Sequence, residues 1–293
     1  MNSYIYALGF FDGVHVGHQA LLQACLRLAR ERDAAAGIVT FDAHPDTLVL
    51  GQTPRLLNTP QDRERLLRRF GMERVVCLPF DHKMFTTPWR DFLAMLEGSY
   101  GAAGFVCGED FRFGSRGAGS ASLLAAYCRE KGLPCAVVPE QYIRGVRVSS
   151  TYIRSLIEAG EAETAGEFLG HPHIFTGSVV HGKQLGRTLG IPTANLRLPE
   201  ELVVPRFGVY ACQAWIRGKA YPAVTNIGTR PTVSGTGITV EPWILDYQGD
   251  LYGQELTLEF YKFLRPEQRF ASLEALQAEI RRNAEQTREY FRP

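Results

Sequence analysis

The sequence predicts two domains of different class: a parallel α/β sheet, then an antiparallel β-barrel or sandwich closed by a last helix. Three observations carry this. Up to about residue 168, short β-rich runs alternate with amphipathic helical stretches, the pattern of a parallel sheet covered on both faces. After Leu169 the chain changes to short strands separated by glycine and proline. Only Ser272–Phe291 returns to helical spacing.

The first expected strand, Tyr4–Phe10, runs straight into a glycine-containing turn. A helical stretch follows, with Leu21, Leu22, Cys25, Leu28 and Ala29 on one face. Further strands are expected at Ala36–Phe41, Arg74–Pro79, Gly104–Gly108 and Pro134–Pro139. Thr59-Pro60 and Thr87-Pro88 each offer a capping residue ahead of a proline at the first helical position. GHPHIF (Gly170–Phe175) reads as a linker, so the domains are set at residues 1–170 and 171–293. Strands are then expected at 174–181, 208–216, 220–226, 238–246 and 255–263. In the closing helix Leu273, Leu276, Ile280, Thr287 and Phe291 share a stripe.

Composition narrows the function classes. Apolar residues make up 45% and charged residues 22%, which is ordinary for a chain with real hydrophobic cores. There are 18 basic and 19 acidic residues before Gly170, and 14 and 12 after it, so neither half has the positive excess that phosphate-backbone binding needs. No nucleic-acid partner is expected. No apolar run approaches the ~20 residues that span a bilayer, and the start reads as a strand rather than a signal peptide. The six cysteines form no CxxC pair and sit mostly in apolar surroundings, which points to buried, reduced thiols in a cytoplasmic protein without structural zinc. A homo-oligomer stays open.

GFFDGVHVGHQALL (Gly9–Leu22) is the most informative segment. It places a glycine turn and then a helix start after the first strand, where open α/β sheets bind ligands at strand carboxyl ends. Backbone N–H groups and the helix dipole favour phosphate there. Gly13 and Gly17 allow close backbone approach, and His15 and His18 supply imidazole donors to a phosphate whose charge grows in a transition state. TFDAHP (Thr40–Pro45), GEDFRFG (Gly108–Gly114) and VSSTYIRSLI (Val148–Ile157) converge on the same crevice. Taken singly, Ser149, Ser150 and Thr151 also read as an ordinary helix cap, and Arg112 or Arg154 as surface charge.

In the second domain GSVVHGKQ (Gly177–Gln184) comes one residue short of a P-loop. Gly186, Gly190 and Pro192 leave no room for the helix a P-loop needs next. A flexible nucleotide-approaching loop is expected instead. PTAN (Pro192–Asn195) presents two hard oxygens suited to Mg²⁺ when phosphates complete the shell. By itself the Thr193/Asn195 pair is also common turn chemistry. Glu241, in ITVEPWILD, could take a proton from an alcohol, yet by itself it reads first as an exposed strand residue.

GxFDGVHxGH, TFDxHP, GEDFRFG and SSTxIR, in this order, resemble the FAD synthetase (FMN adenylyltransferase) module of the prokaryotic bifunctional riboflavin kinase/FAD synthetase family, across residues 4–168. GxVxxGxxxGRxxGxPTAN, GVYA, NIGTRPT and VExxILD resemble its riboflavin kinase module, from Phe175 to the final helix. The resemblance implies a Rossmann-like nucleotidyltransferase sheet followed by a six-stranded antiparallel barrel with a terminal helix. It implies ATP as co-substrate of both steps with Mg²⁺, riboflavin as substrate, FMN as the first product and FAD as the second.

Carried over by position, His15 and His18 would contact the ATP phosphates, with Gly9, Phe11, Asp12, Gly13 and Gly17 shaping that turn. Asp110 and Phe111 would help form the nucleotide and flavin crevice, and Ser150, Thr151 and Arg154 would close over the phosphates. Thr193 and Asn195 would ligate Mg²⁺, and Glu241 would be the base for the ribityl hydroxyl. Gly177, Gly182 and Gly186 would shape the nucleotide loop, and Arg288 would lie near the flavin. The chain departs from the family pattern at Phe10, Ala43, Pro242, Trp243 and Asn283. A monofunctional FAD synthetase with an inactive, flavin-binding barrel is the alternative.

Overall fold

The computed structural model describes residues 3–49, 51, 53–180, 191–232 and 235–292. Two compact units emerge: residues 1–55 with 60–150, and residues 56–59 with 151–293.

The first unit is built on five parallel strands, β1 (Tyr4–Leu8), β2 (Ala35–Phe41), β3 (Arg74–Leu78), β4 (Ala102–Gly108) and β5 (Cys135–Val138). Their order is β3-β2-β1-β4-β5. The order reverses direction between β1 and β4, which opens a crevice beyond their carboxyl ends. The strands are apolar runs because both faces are covered: Ile5, Tyr6, Ala7, Ile38, Phe105 and Val106 are fully buried. Helix α1 (Val16–Glu31) buries Leu22, Cys25 and Ala29 of the expected face.

Helix α2 (Pro60–Arg69) starts on its proline as expected. The expectation at Thr87-Pro88 needs correction. The helix α3 (Trp89–Tyr100) begins one residue later with Pro88 itself in the cap position, and Thr87 instead ends the short helix His82–Thr86. Of the cysteines, Cys25, Cys107, Cys128 and Cys212 are buried, but Cys77 is exposed. Its position on the penultimate residue of outer strand β3 leaves one face uncovered.

The second unit is a six-stranded antiparallel sheet. Its strands are β6 (His173–Ser178), β7 (Leu196–Arg197), β8 (Gly208–Ile216), β9 (Lys219–Thr232), β10 (Gly235–Ile244) and β11 (Glu255–Pro266). The order is β6-β11-β8-β9-β10-β7, and its two end strands approach each other. The Val180 N–H bonds the Asn195 carbonyl at 2.8 Å, and a side chain at Gly177 would meet the Leu196 Cβ at 3.6 Å. The result is a nearly closed barrel, which removes exposed strand edges.

Residues 56–59 join this unit from far away in sequence. Leu56 bridges Leu202, and the Asn58 amide and His173 ring bond Ile174 and Leu57 carbonyls at 3.4 and 3.0 Å. The last helix, α4 (Leu273–Tyr290), is capped by Ser272. Its expected stripe is only partly buried: Leu273 is 54% exposed, whereas Asn283, Ala284 and Thr287 are buried.

Candidate active sites

In the first unit the turn after β1 is strained into place. Phe11, Gly13 and Val14 all have positive φ, and Phe11 is fully buried against Gly9 and His18. The turn delivers His15 to the N-cap of α1, where its Nδ1 accepts the His18 N–H at 3.2 Å. A neutral imidazole accepting at Nδ1 carries its proton on Nε2, so the capping bond turns a donor outward. The His15 and His18 rings stack at 3.6 Å, 11° from parallel. Gly17 makes room for this, since a Cβ there would sit 3.2 Å from the His15 ring. Burial, then the adjacent His15, then Arg63 hold the His18 pKa well below its ordinary value. Its Nδ1 is buried without a hydrogen-bond partner. Two neutral imidazoles at a helix N-terminus are donors placed for an anion.

A pocket of about 170 Å³ opens on this pair, lined also by Gly108, Asp110, Glu140, Arg147, Ser149 and Ser150. The Ser150 hydroxyl donates to the Asp12 carbonyl at 2.9 Å. Arg147 reaches both Asp110 and Glu140 at 2.6 Å, tying the hairpin that carries it to the ends of β4 and β5. The helix Ser150–Ala159 continues into the second unit, where an Arg154 Nη2 bonds the Thr151 hydroxyl at 3.2 Å. Nearby a cavity of about 550 Å³ is lined by seven phenylalanines, Phe10, Phe41, Phe80, Phe85, Phe92, Phe111 and Phe113. Phe111 stacks on Phe113 at 5.5 Å. Its chemistry suits a large flat aromatic ring.

In the barrel, Glu241 stands opposite Asn226 and lines a cavity of about 400 Å³ with Thr193, Trp243, Arg265 and Phe270. Thr193 also lines a second cavity of about 90 Å³, beside Val179, Tyr247 and Tyr252. Thr193 therefore stands on the wall between two cavities. Pro242 does not bend the strand: its register with β9 runs unbroken from Ala223–Ile244 to Thr232–Gly235. The Pro242 carbonyl accepts the Ala194 N–H at 2.9 Å, so the missing proline donor faces that side too. No bond to β9 is lost, and Glu241 keeps its aim. Burial lowers the Arg265 pKa from its usual value while Glu279 opposes this, and its Nε donates to the Asn283 side-chain Oδ1 at 3.0 Å.

A family model for FAD synthetase matches residues 1–152, and one for riboflavin kinase matches residues 169–291. The bifunctional riboflavin kinase/FMN adenylyltransferase of Escherichia coli K12 is 37% identical over 290 residues, 98% of this chain and 92% of that protein. The chain belongs to the bifunctional riboflavin kinase/FMN adenylyltransferase family. The protein of that name from Listeria monocytogenes is 31% identical with the same coverage. A Streptococcus pneumoniae crystal structure described as a macrolide-efflux protein superposes with a TM-score of 0.87 at 31% identity, covering 98% of this chain and 94% of that one. No helix among the described residues is long and apolar enough to cross a membrane.

Within this family fold, the structure brings His15, Gly17, His18, Asp110 and Ser150 to one pocket and Thr193 and Glu241 to another. Gly9, Phe11, Asp12 and Gly13 shape the turn without lining either cavity of the first unit. Gly177 lies at the close approach of β6 and β7, and Asn195 beside Val180. Gly182 and Gly186 lie outside the described residues. Arg288 bonds Asp246 at 3.0 Å, which raises its pKa, and does not line the 400 Å³ cavity. Among the described residues no cluster of three His, Cys, Asp or Glu could hold a metal. Thr193 and Asn195 fit an ion that arrives with phosphate oxygens. Sequence reading missed the phenylalanine cavity, Arg147, Asn226 and Arg265.

Proposed function

We propose that this chain phosphorylates riboflavin with ATP to FMN in the barrel, then adenylylates FMN with ATP to FAD and pyrophosphate at the parallel sheet, the two activities dividing near residue 170. The observation that carries it is that both family models match one chain, each over the fold holding the corresponding pockets.

In the barrel, Glu241 accepts the proton of the ribityl hydroxyl as that oxygen attacks the γ-phosphorus of ATP, and ADP leaves. Riboflavin occupies the 400 Å³ cavity and ATP the space beyond Thr193. Thr193 and Asn195 would hold Mg²⁺ against the phosphates, where it neutralises charge. Gly177, Gly182 and Gly186 let the backbone approach the nucleotide, and Arg288 supports the flavin end through Asp246.

At the sheet, an FMN phosphate oxygen attacks the α-phosphorus of ATP and pyrophosphate departs. His15 and His18 donate to the phosphate oxygens, stabilising charge that grows in the transition state. Asp110 and Phe111 border the nucleotide and flavin spaces, and the phenylalanine cavity takes the isoalloxazine. Ser150, Thr151 and Arg154 close over the phosphates. Free thiols suit a reducing, cytoplasmic setting.

The test is incubation of the protein with riboflavin, ATP and Mg²⁺, followed by chromatography of flavins over time. FMN should appear first and FAD after it. FAD formed only from supplied FMN would establish the monofunctional alternative, and no new flavin would overturn the proposal.

A further inference from the structure

Arg63 lies on α2, outside every motif noted above, in a run (DRER) that reads as a solvated helix face. It is instead 3% exposed. Its guanidinium donates to the Phe10 carbonyl at 3.2 Å and the Phe41 carbonyl at 2.8 Å, at the ends of β1 and β2. Its charge also sits 4.3 Å over the Phe10 ring. Phe10 and Phe41 both line the phenylalanine cavity, whereas Arg63 does not line it. The Thr40 hydroxyl joins at the Phe10 carbonyl at 2.9 Å, and Asp42 accepts the Phe80 N–H at 2.9 Å, so a third wall residue hangs on the same node. A buried arginine is expensive, and Asp12 and Asp42 help to hold its charge. A planar fork bonding two carbonyls while stacking on a ring is geometry that an ammonium point charge cannot copy.

We propose that Arg63 is a positioning residue for AMP transfer, fixing Phe10 and Phe41 as the floor on which the flavin ring of FMN is laid. This rests on the adenylyltransferase reading above. The nucleotide pocket contains neither phenylalanine. The Arg63 charge also lowers the His18 pKa, and Arg63→Lys keeps that charge, so in Arg63→Lys the effect should fall on FMN and spare ATP.

The experiment measures steady-state FAD formation by the full chain, with riboflavin phosphorylation as an internal control. FAD formation by the unmodified chain is established first; if it is absent, the adenylyltransferase reading fails rather than this assignment. Arg63→Met should raise KM for FMN about tenfold, the cost of a carbonyl left without its charged donor. The kinase rate in both variants, and KM for ATP in the charge-keeping Arg63→Lys, should stay within about twofold. Arg63→Lys should recover part of the loss, because it keeps the charge and one of the two bonds. An unchanged KM for FMN in both variants overturns the proposal, as does an equal rise for FMN and ATP in Arg63→Lys. Should Arg63→Met fail to fold, Arg63→Lys decides: a raised KM for FMN alone supports the assignment, and any other result refutes it.

Discussion

His15 does two jobs that substitution can separate. Its Nδ1 caps α1, and its Nε2–H is the proposed phosphate donor. His15→Ala removes both. Loss of a side-chain cap costs about 1 kcal/mol, which lowers the melting temperature of a unit of ~150 residues by about 2–4 °C. Loss of one donor aimed at transition-state charge costs about 10²–10³ in rate. His15→Asn restores the cap, because an amide oxygen serves there as well, but puts no donor where Nε2 stood. FAD formation from supplied FMN should therefore fall by about 10²–10³ in both variants. Stability should drop only in the alanine variant, and FMN formation from riboflavin should be unaffected in both. Chromatographic rates and calorimetry read the two effects. Full activity in His15→Asn would refute the donor role, and parallel loss of both activities would refute two separate sites.

Other expectations follow from the same geometry. Glu241→Gln should lower riboflavin phosphorylation by about 10²–10⁴ while leaving FAD formation from supplied FMN unchanged, measured by flavin chromatography. His18 has a folded pKa below its unfolded value of 6.5, so its contribution to stability is complete above that pH. On acidification the unfolded chain binds the proton first, and that stability is lost progressively towards the folded pKa. Melting temperatures at pH 7.5 and 5.5 should differ more for the native chain than for His18→Gln. Gly114 has φ +70°, and a Cβ there would lie 2.5 Å from the Trp89 backbone. Gly114→Ala should thus cost about 2–4 kcal/mol from left-handed strain and overpacking, visible as a lower unfolding midpoint.

Both folds were legible because their signals are local. β1 and β2 are apolar runs bounded by turn residues, and the barrel strands are punctuated by glycine and proline. What escaped depends on tertiary placement. Leu276 and Ile280 have the spacing of core residues, yet they line an open cavity, which a sequence cannot distinguish from a core. Phe10, Phe41, Phe80 and Phe113 come from four separate stretches and make one cavity only after the sheet has formed. Residues 56–59 carry no pattern linking them to Leu202. A proline inside a sheet ordinarily needs an edge or a bulge, and at Pro242 the side without a donor meets the Ala194 loop rather than β9.

The two pockets also differ as the proposed nucleophiles require. An alcohol must lose its proton as it attacks phosphorus, so the barrel needs a carboxylate facing its cavity, and Glu241 opposite Asn226 is so placed. A phosphate monoester, with a second pKa of about 6, already attacks as an anion and needs no base. The three carboxylates of the sheet pocket are employed elsewhere: Asp110 and Glu140 both hold Arg147, and Glu109 accepts the Glu140 N–H at 2.8 Å. What lines that pocket is the stacked pair His15 and His18, with the His18 pKa held well below its ordinary value by burial and by His15. An anion attacking an anion gains most from donors and excluded water, and such a site can dispense with a base.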